Sequence, residues 1–178
     1  MTAEPSNLIG GTSDRVIGAL VDIPDGMAEG VLFAQGTRFG GHALYVKDNR
    51  LHYLNNFLGS EEQKVVASEE VPTGEKLILS ASFEKTSAEA DHTAGTLTLY
   101  HNDEKVGEGE IKTQLGAFAI AGSGLYVGRH EGEPLTDDFP GEAPHRFTGG
   151  TINRLGIDVS GEPYLDLERE AELMLMRE

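Results

Sequence analysis

The sequence predicts an all-β protein built from two packed antiparallel sheets, and three observations point to this fold class. Apolar residues recur at every second position in many short segments, which is the pattern of strands with one buried face. Glycine is frequent, at 23 of 178 residues, and it separates these segments. No stretch of helical periodicity lies between them, which favours antiparallel over parallel sheets. The length suits one domain with a core of its own.

The first half of the chain contains five predicted strands. Alternating apolar residues predict the first at residues 17–23, before a Pro-Asp-Gly turn. The others are predicted at Val31–Gln35, His42–Lys47, Arg50–Asn55 and Lys64–Ser68. Asp48 and Asn49 separate the third strand from the fourth, and both residue types tolerate positive φ. This pair therefore predicts a tight hairpin turn.

The second half continues the same pattern as far as residue 159. One strand is predicted to bury Leu77, Leu79, Ala81 and Phe83, and the polar residues 84–94 after it are predicted to form a loose loop. The remaining predicted segments are strands at Gly95–His101 and Lys105–Glu110 around a turn at 102–104, strand residues between 118 and 127, a long ordered loop at Glu131–Pro144 and a strand at Thr151–Val159.

The ends of the chain differ from this central region. We expect an N-terminal arm at residues 1–14, a β-sandwich domain at 15–160 and a helical C-terminal tail at 161–178. Asp166 is a candidate helix N-cap, and Arg177 lies near the negative end of the predicted helix dipole. The four consecutive apolar residues at 173–176 are too apolar for a free helix. They are expected to pack on a sheet face or on a partner, including a second copy of the chain.

Charge and cysteine content exclude several functional classes. The chain has 30 acidic and 14 basic residues and a formal net charge of −16, so the phosphates of nucleic acids would be repelled. It has no cysteine, which excludes disulfides and zinc–thiolate sites. No apolar run is long enough to cross a membrane, and the first residues lack the pattern of a signal peptide. A cytoplasmic location is the resulting expectation.

One long run carries a resemblance to a known family. Residues 29–59 read EGVLFAQGTRFGGHALYVKDNRLHYLNNFLG. This run closely resembles a stretch of the form AQGxRFGGxxLYVKDxRLxYxxNFLG in the small C-terminal domain of bacterial arylsulfatases. The segment SGEPYLDLERE at 160–170 also resembles the end of those enzymes. The resemblance implies a jelly-roll sandwich of the concanavalin A-like or laminin G-like form, acting as an accessory to a separate catalytic domain.

The catalytic motifs of that family are absent from this sequence. Arylsulfatases make a formylglycine from Cys or Ser in a C/S-x-P-x-R motif, and neither version occurs here. Some sandwiches of this form hydrolyse glycosides with an E-x-D-x-x-E arrangement of carboxylates. The nearest string, at residues 89–94, lacks the final carboxylate. We therefore predict no catalytic residue and no enzymatic activity.

Five residues are candidates for a binding site. Tyr45, Tyr53, Asn55 and Asn56 are interpreted as a possible sugar-stacking face, although aromatic residues on a hairpin more often belong to a core. Arg38, in the glycine-rich turn, is a candidate ligand for an anion or for the catalytic domain. The alternative role for Arg38 is to hold the turn through hydrogen bonds to backbone carbonyls.

Asp137 and Asp138 are the candidate metal ligands. Adjacent carboxylates in a loop suit calcium, but a solvated turn is the favoured interpretation, and no cofactor is expected. The arylsulfatases commonly have aspartate where this chain has His130, which removes one oxygen ligand from the site that the resemblance would imply.

Three functional hypotheses remain open at the level of sequence. The first is a non-catalytic accessory or interaction domain, either stand-alone or split from a sulfatase, whose partner is a sulfatase catalytic domain or a second copy. The second is a lectin-like carbohydrate-binding module. The third is an arylsulfatase or hydrolase label that reflects only the catalytic domain of full-length relatives. Nucleic acid and membrane are not expected as partners.

Overall fold

The computed structural model describes residues 14–89, 92–114 and 124–159, and within these ranges the chain forms ten strands in two five-stranded antiparallel sheets. In chain order the strands are β1 Arg15–Ile23, β2 Gly30–Thr37, β3 Gly40–Lys47, β4 Arg50–Phe57, β5 Glu61–Glu70, β6 Gly74–Ala88, β7 His92–His101, β8 Glu104–Gln114, β9 Leu125–Val127 and β10 Thr151–Val159. Sheet one has the order β10-β1-β6-β7-β8, and sheet two has the order β5-β4-β3-β2-β9. The predicted two-sheet jelly-roll sandwich is confirmed.

Sheet one buries the alternating residues that the sequence indicated. Ile17, Ala19 and Val21 of β1 are at most 2% exposed. On β6 the predicted core positions Leu79 and Phe83 are 0% and 2% exposed, and they lie opposite Ala19 and Arg15 of β1. Leu155 and Ile157 of β10 are half-buried and pack against the same cluster. The period of two therefore identified the face that lies between the sheets.

The three central strands of sheet two, β2, β3 and β4, are buried on both faces. Phe33, Leu44 and Tyr53 face the core between the sheets. On the opposite face, Tyr45 and Leu54 belong to a second apolar cluster. The second cluster exists because residues 128–150, here called the cover loop, lie across the outer face of the sheet. The cover loop contains the long ordered loop predicted at Glu131–Pro144, which the structure confirms.

One predicted loop is wrong. Residues 84–94 were expected to be loose, but β6 continues to Ala88 and β7 begins at His92. Lys85 pairs with Gly95 and Ser87 pairs with Ala94 in an antiparallel ladder, whose register shifts between these two pairs at a β-bulge or irregularity. Residues 84–88 of β6 are exposed. With solvent on both sides, the segment needs no apolar alternation, so its sequence resembles that of a loop.

The turns at one end of the sandwich depend on two glycines that face each other. Gly36 and Gly41 pair across the β2–β3 hairpin, with φ values of 120° and 143°. A Cβ atom on Gly36 would lie 2.2 Å from the carbonyl oxygen of Gly40, and one on Gly41 would lie 2.1 Å from that of Gln35. Only glycine fits at either position. Residues 36–41 and the β4–β5 turn at 57–60 are here called the turn end.

The two sheets meet along one side at strands that carry many charges. β5 of sheet two lies against β8 of sheet one, where Ser68 Oγ donates to the carbonyl oxygen of Val106 at 3.0 Å. Both are edge strands of their sheets. Their charged residues are Glu61, Glu62, Lys64, Glu69 and Glu70 on β5 and Glu104, Lys105, Glu108, Glu110 and Lys112 on β8.

Three predictions fall outside the described residues. These are the N-terminal arm at 1–14, of which only Asp14 is described, the strand residues near 118–120 and the helical tail at 161–178. The predicted strand residues Leu125 and Val127 are described, and they belong to β9, which pairs with β2 at the edge of sheet two.

Candidate functional site

The cover loop is attached to sheet two by an apolar contact. Leu135 and Phe139 are 0% and 6% exposed, and they form a buried cluster with Val31, Ala34, Ala43, Tyr45 and Leu54. The Phe139 ring meets the Tyr45 ring edge to face, with centroids 5.3 Å apart. This contact removes the outer face of β2, β3 and β4 from solvent. A ligand that lies across the middle of that face would have to displace the loop.

Asp138 attaches the same loop through charged groups. Its carboxylate accepts hydrogen bonds from the Tyr45 hydroxyl, from Lys47 Nζ at 2.6 Å and from Lys64 Nζ at 3.2 Å. Partial burial by itself raises the pKa of Asp138, but the hydrogen bonds from Lys47, Tyr45 and Lys64 outweigh it and bring the pKa to about 2. Burial is the main cause that raises the pKa of the Tyr45 hydroxyl above its ordinary value, and the hydrogen bond to Asp138 is the second cause.

The proposed calcium ligands do not converge on a common point. Asp137 is exposed, whereas the neighbouring Asp138 carboxylate is bound to two lysines. The two ammonium groups lie where the sequence-based hypothesis placed a cation. Within residues 14–89, 92–114 and 124–159, no group of three or more His, Cys, Asp or Glu side chains is arranged to hold a metal ion.

The two candidate stacking tyrosines lie on opposite faces of sheet two. Tyr45 pairs with His52 and Tyr53 pairs with Leu44 on the neighbouring strand. Tyr45 belongs to the cluster under the cover loop and its hydroxyl contacts Asp138, whereas Tyr53 belongs to the core between the sheets. The Tyr53 hydroxyl contacts His42 Nδ1 at 2.8 Å and Arg15 Nη2 at 3.4 Å. Both tyrosines are at most 1% exposed. They therefore do not form one sugar-stacking face.

The candidate asparagines are buried groups that connect parts of the fold. Asn55 Nδ2 donates to the Lys112 carbonyl oxygen at 2.8 Å, which ties β4 to the opposite sheet. Asn56 Nδ2 donates to the carbonyl oxygens of Arg38 at 3.0 Å and Leu135 at 2.9 Å. Its Oδ1 accepts from the Gly59 amide at 2.8 Å. Asn56 thus joins both turns of the turn end to the cover loop.

Arg38 lies on the surface of the turn end. Its Nε forms an ion pair with Glu133 Oε1 of the cover loop at 2.8 Å, and both side chains are about half exposed. The alternative that its guanidinium holds the turn through backbone carbonyls does not match this geometry. The β2–β3 turn is instead held by Asn56 and by Thr37 Oγ1, which accepts from the Phe39 amide at 3.2 Å.

The structure brings two of the five candidate binding residues to one groove. Arg38 and Asn56 line a groove of about 280 Å³ between the turn end and the cover loop. The other lining residues are Gly59, Ser60, Glu61, Glu62, Pro134, Leu135, Thr136 and Asp137. Tyr45, Tyr53 and Asn55 do not line it.

Two exposed apolar side chains belong to the same turn end and were not identified from the sequence. Phe39 is 67% exposed and Leu58 is 41% exposed. The turns that carry them touch, because a Cβ on Gly59 would lie 3.3 Å from Phe39 Cα. Their exposure could have been predicted from their place in the sequence, because a large apolar residue in a turn that contains glycine has little core to pack against.

Comparisons with known proteins add one structural likeness. A scan of family models and a search of curated protein sequences both return no match. Among solved structures, a native heptameric SAP-like pentraxin from Limulus polyphemus matches with a TM-score of 0.44 and 15% sequence identity. The match covers 82% of this chain and 63% of the pentraxin chain, so it spans less than two thirds of the pentraxin.

None of the described residues forms a helix with the length and apolar character that crossing a bilayer requires.

Proposed function

We propose that this chain is a non-catalytic interaction domain related to the C-terminal accessory domain of bacterial arylsulfatases. The observation that carries the proposal is the use that the fold makes of the run at residues 29–59. The run supplies β2, β3 and β4. Its Gly36, Gly41 and Asn56 are the residues whose geometry builds the turn end. These local requirements give a physical reason why a related domain would share that run.

The arrangement of polar groups supports a non-catalytic role. Asp138 is bound to Tyr45 and two lysines, and Asn56 is bound to three backbone groups. Such groups are already satisfied and hold segments together, whereas a catalytic acid or base needs an open position beside a substrate. The sequence also lacks the formylglycine motif of the sulfatases.

The first test is an activity assay. We expect no hydrolysis of an aryl sulfate by the purified chain, with or without calcium, because the precursor of the nucleophile is absent. A heat-killed sample is the control. Turnover above that control would contradict the non-catalytic role.

The second test concerns the partner. We expect the chain to form a one-to-one complex with an arylsulfatase catalytic domain produced without its own C-terminal domain, measured by sedimentation velocity. The complete sulfatase is the matched control, because its own accessory domain already covers the contact surface. Absence of a complex at concentrations of about 10 μM would count against this partner, because a complex with a Kd of about 1 μM would be mostly formed there.

The second candidate function is a lectin-like carbohydrate-binding module. The observation that favours it is the position of Phe39 beside the polar groove at the turn end, because sugars stack their apolar faces on exposed aromatic rings. A glycan array separates the two candidates. Selective binding of one oligosaccharide class, lost on Phe39→Ser, would favour the lectin-like function.

A further inference from the structure

The turn end presents an apolar surface whose two turns are held by hydrogen bonds. Phe39 lies at the tip of the β2–β3 turn, and its amide is held by Thr37 Oγ1 at 3.2 Å. In the adjacent turn, Ser60 donates from its amide and its hydroxyl to the Phe57 carbonyl oxygen, at 3.0 and 2.8 Å. The Asn56 side chain connects the two turns, because it bonds the Arg38 carbonyl oxygen in one and the Gly59 amide in the other. Exposure of Phe39 and Leu58 is thus built into a hydrogen-bonded frame, so a partner would not have to order these turns when it binds.

Carboxylates surround this apolar surface. Glu61, Glu62 and Asp137 line the groove beside it, and Glu133 lies next to Arg38. The cations nearby are Arg38, paired with Glu133 at 2.8 Å, and Lys112, paired with Glu61 at 3.0 Å. Lys47 and Lys64 also lie close by, and both are bound to Asp138. These ion pairs leave Glu62 and Asp137 without a cationic partner among the described residues. Glu62 accepts a hydrogen bond from Thr136 Oγ1 of the cover loop at 3.0 Å. The rim of the groove is therefore net negative, on a chain whose formal charge is −16.

We propose that the turn end is a docking surface for a basic, apolar protein segment. The segment places an aliphatic or aromatic side chain against Phe39 and Leu58, and it places Lys or Arg side chains over Glu62 and Asp137. The charge pattern favours a protein segment over a neutral sugar, because carboxylates that have no cationic partner and lie beside an aliphatic side chain complement a cation next to an apolar group. This inference rests on the proposed interaction function and names its surface and the chemistry of its partner.

The apolar part of the proposal is tested with peptides. A phage-displayed library of random dodecapeptides is selected on the full chain, and selected peptides are synthesised for fluorescence-polarisation titration. We expect them to be rich in Lys or Arg beside apolar residues, and Phe39→Ser to weaken their binding at least tenfold. Met27→Ser is the matched control. Met27 is 77% exposed but lies before the start of β2, at the other end of that strand from Phe39, so its substitution should leave binding unchanged.

The charged part is tested with isosteric variants. The double substitution Glu62→Gln and Asp137→Asn should weaken binding of the same peptides at least fivefold and flatten its dependence on salt. The matched control is Glu75→Gln with Glu84→Gln, two exposed carboxylates outside the groove.

Failure to select any peptide, peptides without a basic bias, or binding that survives Phe39→Ser would each overturn the proposal. Binding of a neutral oligosaccharide that is lost on Phe39→Ser would reassign the surface to a sugar. These failures would leave the accessory-domain relationship open, whereas hydrolysis of an aryl sulfate would refute the non-catalytic function itself.

Discussion

Single residues in this fold take their roles from the face of the strand on which they lie. Phe83 is 2% exposed in the core between the sheets, where the Arg15 guanidinium lies 4.8 Å from its ring centroid. Gly95 packs against the same ring, because a Cβ at that position would lie 2.6 Å from it. Ile78, five residues earlier on β6, points to the other side of sheet one and is 45% exposed.

We predict that Phe83→Ala lowers the free energy of unfolding by about 3–5 kcal/mol, because it leaves a cavity in a closely packed core. Ile78→Ala on the same strand should lower it by less than about 1 kcal/mol, since its side chain is largely solvated. Urea titration of both variants measures the difference. Equal losses would show that the two faces of β6 have been wrongly assigned.

The β3–β4 hairpin shows which properties of single residues the sequence could predict and which it could not. The two-residue turn Asp48-Asn49 pairs Tyr45 with His52 and Leu44 with Tyr53. That register was available from the sequence, and it already separates the two tyrosines onto opposite faces. What the sequence did not reveal is that the outer face is buried too, because the burial of Tyr45 depends on Phe139, about ninety residues later in the chain.

At the level of elements, the cover loop combines an apolar contact with charged attachments. The Asp138 carboxylate is the attachment that is bound to two lysines, and its low pKa means that the folded state favours the ionised form. The stability that this carboxylate contributes is therefore present above about pH 4, the ordinary value for aspartate. It is lost as the pH falls from about 4 to about 2.

We predict that Asp138→Asn lowers the free energy of unfolding at pH 7 by about 1–2 kcal/mol, because it weakens hydrogen bonds to two lysines. Asp137→Asn is the matched control, and it should have almost no effect because Asp137 is exposed. Thermal unfolding followed from pH 7 to pH 2 measures both variants. The difference between wild type and Asp138→Asn should shrink below pH 4, and a constant difference would contradict this role.

A buried histidine makes the same loop sensitive to milder acid. Burial lowers the pKa of His130, an effect that the hydrogen bond of its Nε2 to the Gly36 carbonyl oxygen at 3.0 Å only partly offsets. Because the unfolded chain has a higher histidine pKa, about 6.5, it binds the proton first as the pH falls. Folding therefore weakens as the pH drops through 6.5.

We predict that the midpoint of thermal unfolding falls between pH 7 and pH 5, and that it falls less for His130→Gln. Glutamine retains a donor for the Gly36 carbonyl oxygen but does not titrate. His52 and His101, whose pKa values burial also lowers, should supply the remaining dependence. An equal pH dependence in wild type and variant would exclude His130 as a contributor.

Strands β1 and β6 show what local patterns can and cannot predict about whole elements. Apolar alternation located β1 and the buried part of β6. The outer part of β6, from Glu84 to Ala88, was missed because both of its faces meet solvent and its order comes from backbone pairing with β7. Backbone hydrogen bonds leave no mark in the side-chain pattern, so such extensions are not visible in a sequence.

For the whole molecule, the open question is whether the chain associates with itself. The sequence predicts an apolar tail with four consecutive apolar residues at 173–176. We predict that the full chain sediments as a species larger than a monomer, and that a chain ending at Gly161 sediments as a monomer. Sedimentation velocity over a range of concentrations measures both. Monomeric behaviour of both chains, with no greater tendency of the shorter one to aggregate, would show that the tail is not an interface.

The groove between the turn end and the cover loop is a feature of the whole molecule that the sequence did not predict. Arg38 and Asn56 were identified as candidate binding residues, but their common groove requires Leu135 and Thr136 of the cover loop. Contacts between segments that are eighty to a hundred residues apart have no signature in local patterns. The groove is therefore a property of the assembled fold.

The charged strands β5 and β8 have a consequence for the behaviour of the protein at high concentration. A sheet edge with free backbone groups is a template on which another chain can add a strand, and this is how many β proteins begin to form fibrils. Here those two edges lie side by side and carry charges along their length. A second molecule that approached in register would bring like charges together. The side of the sandwich where its two sheets meet is thus also the side at which it resists growth into fibrils.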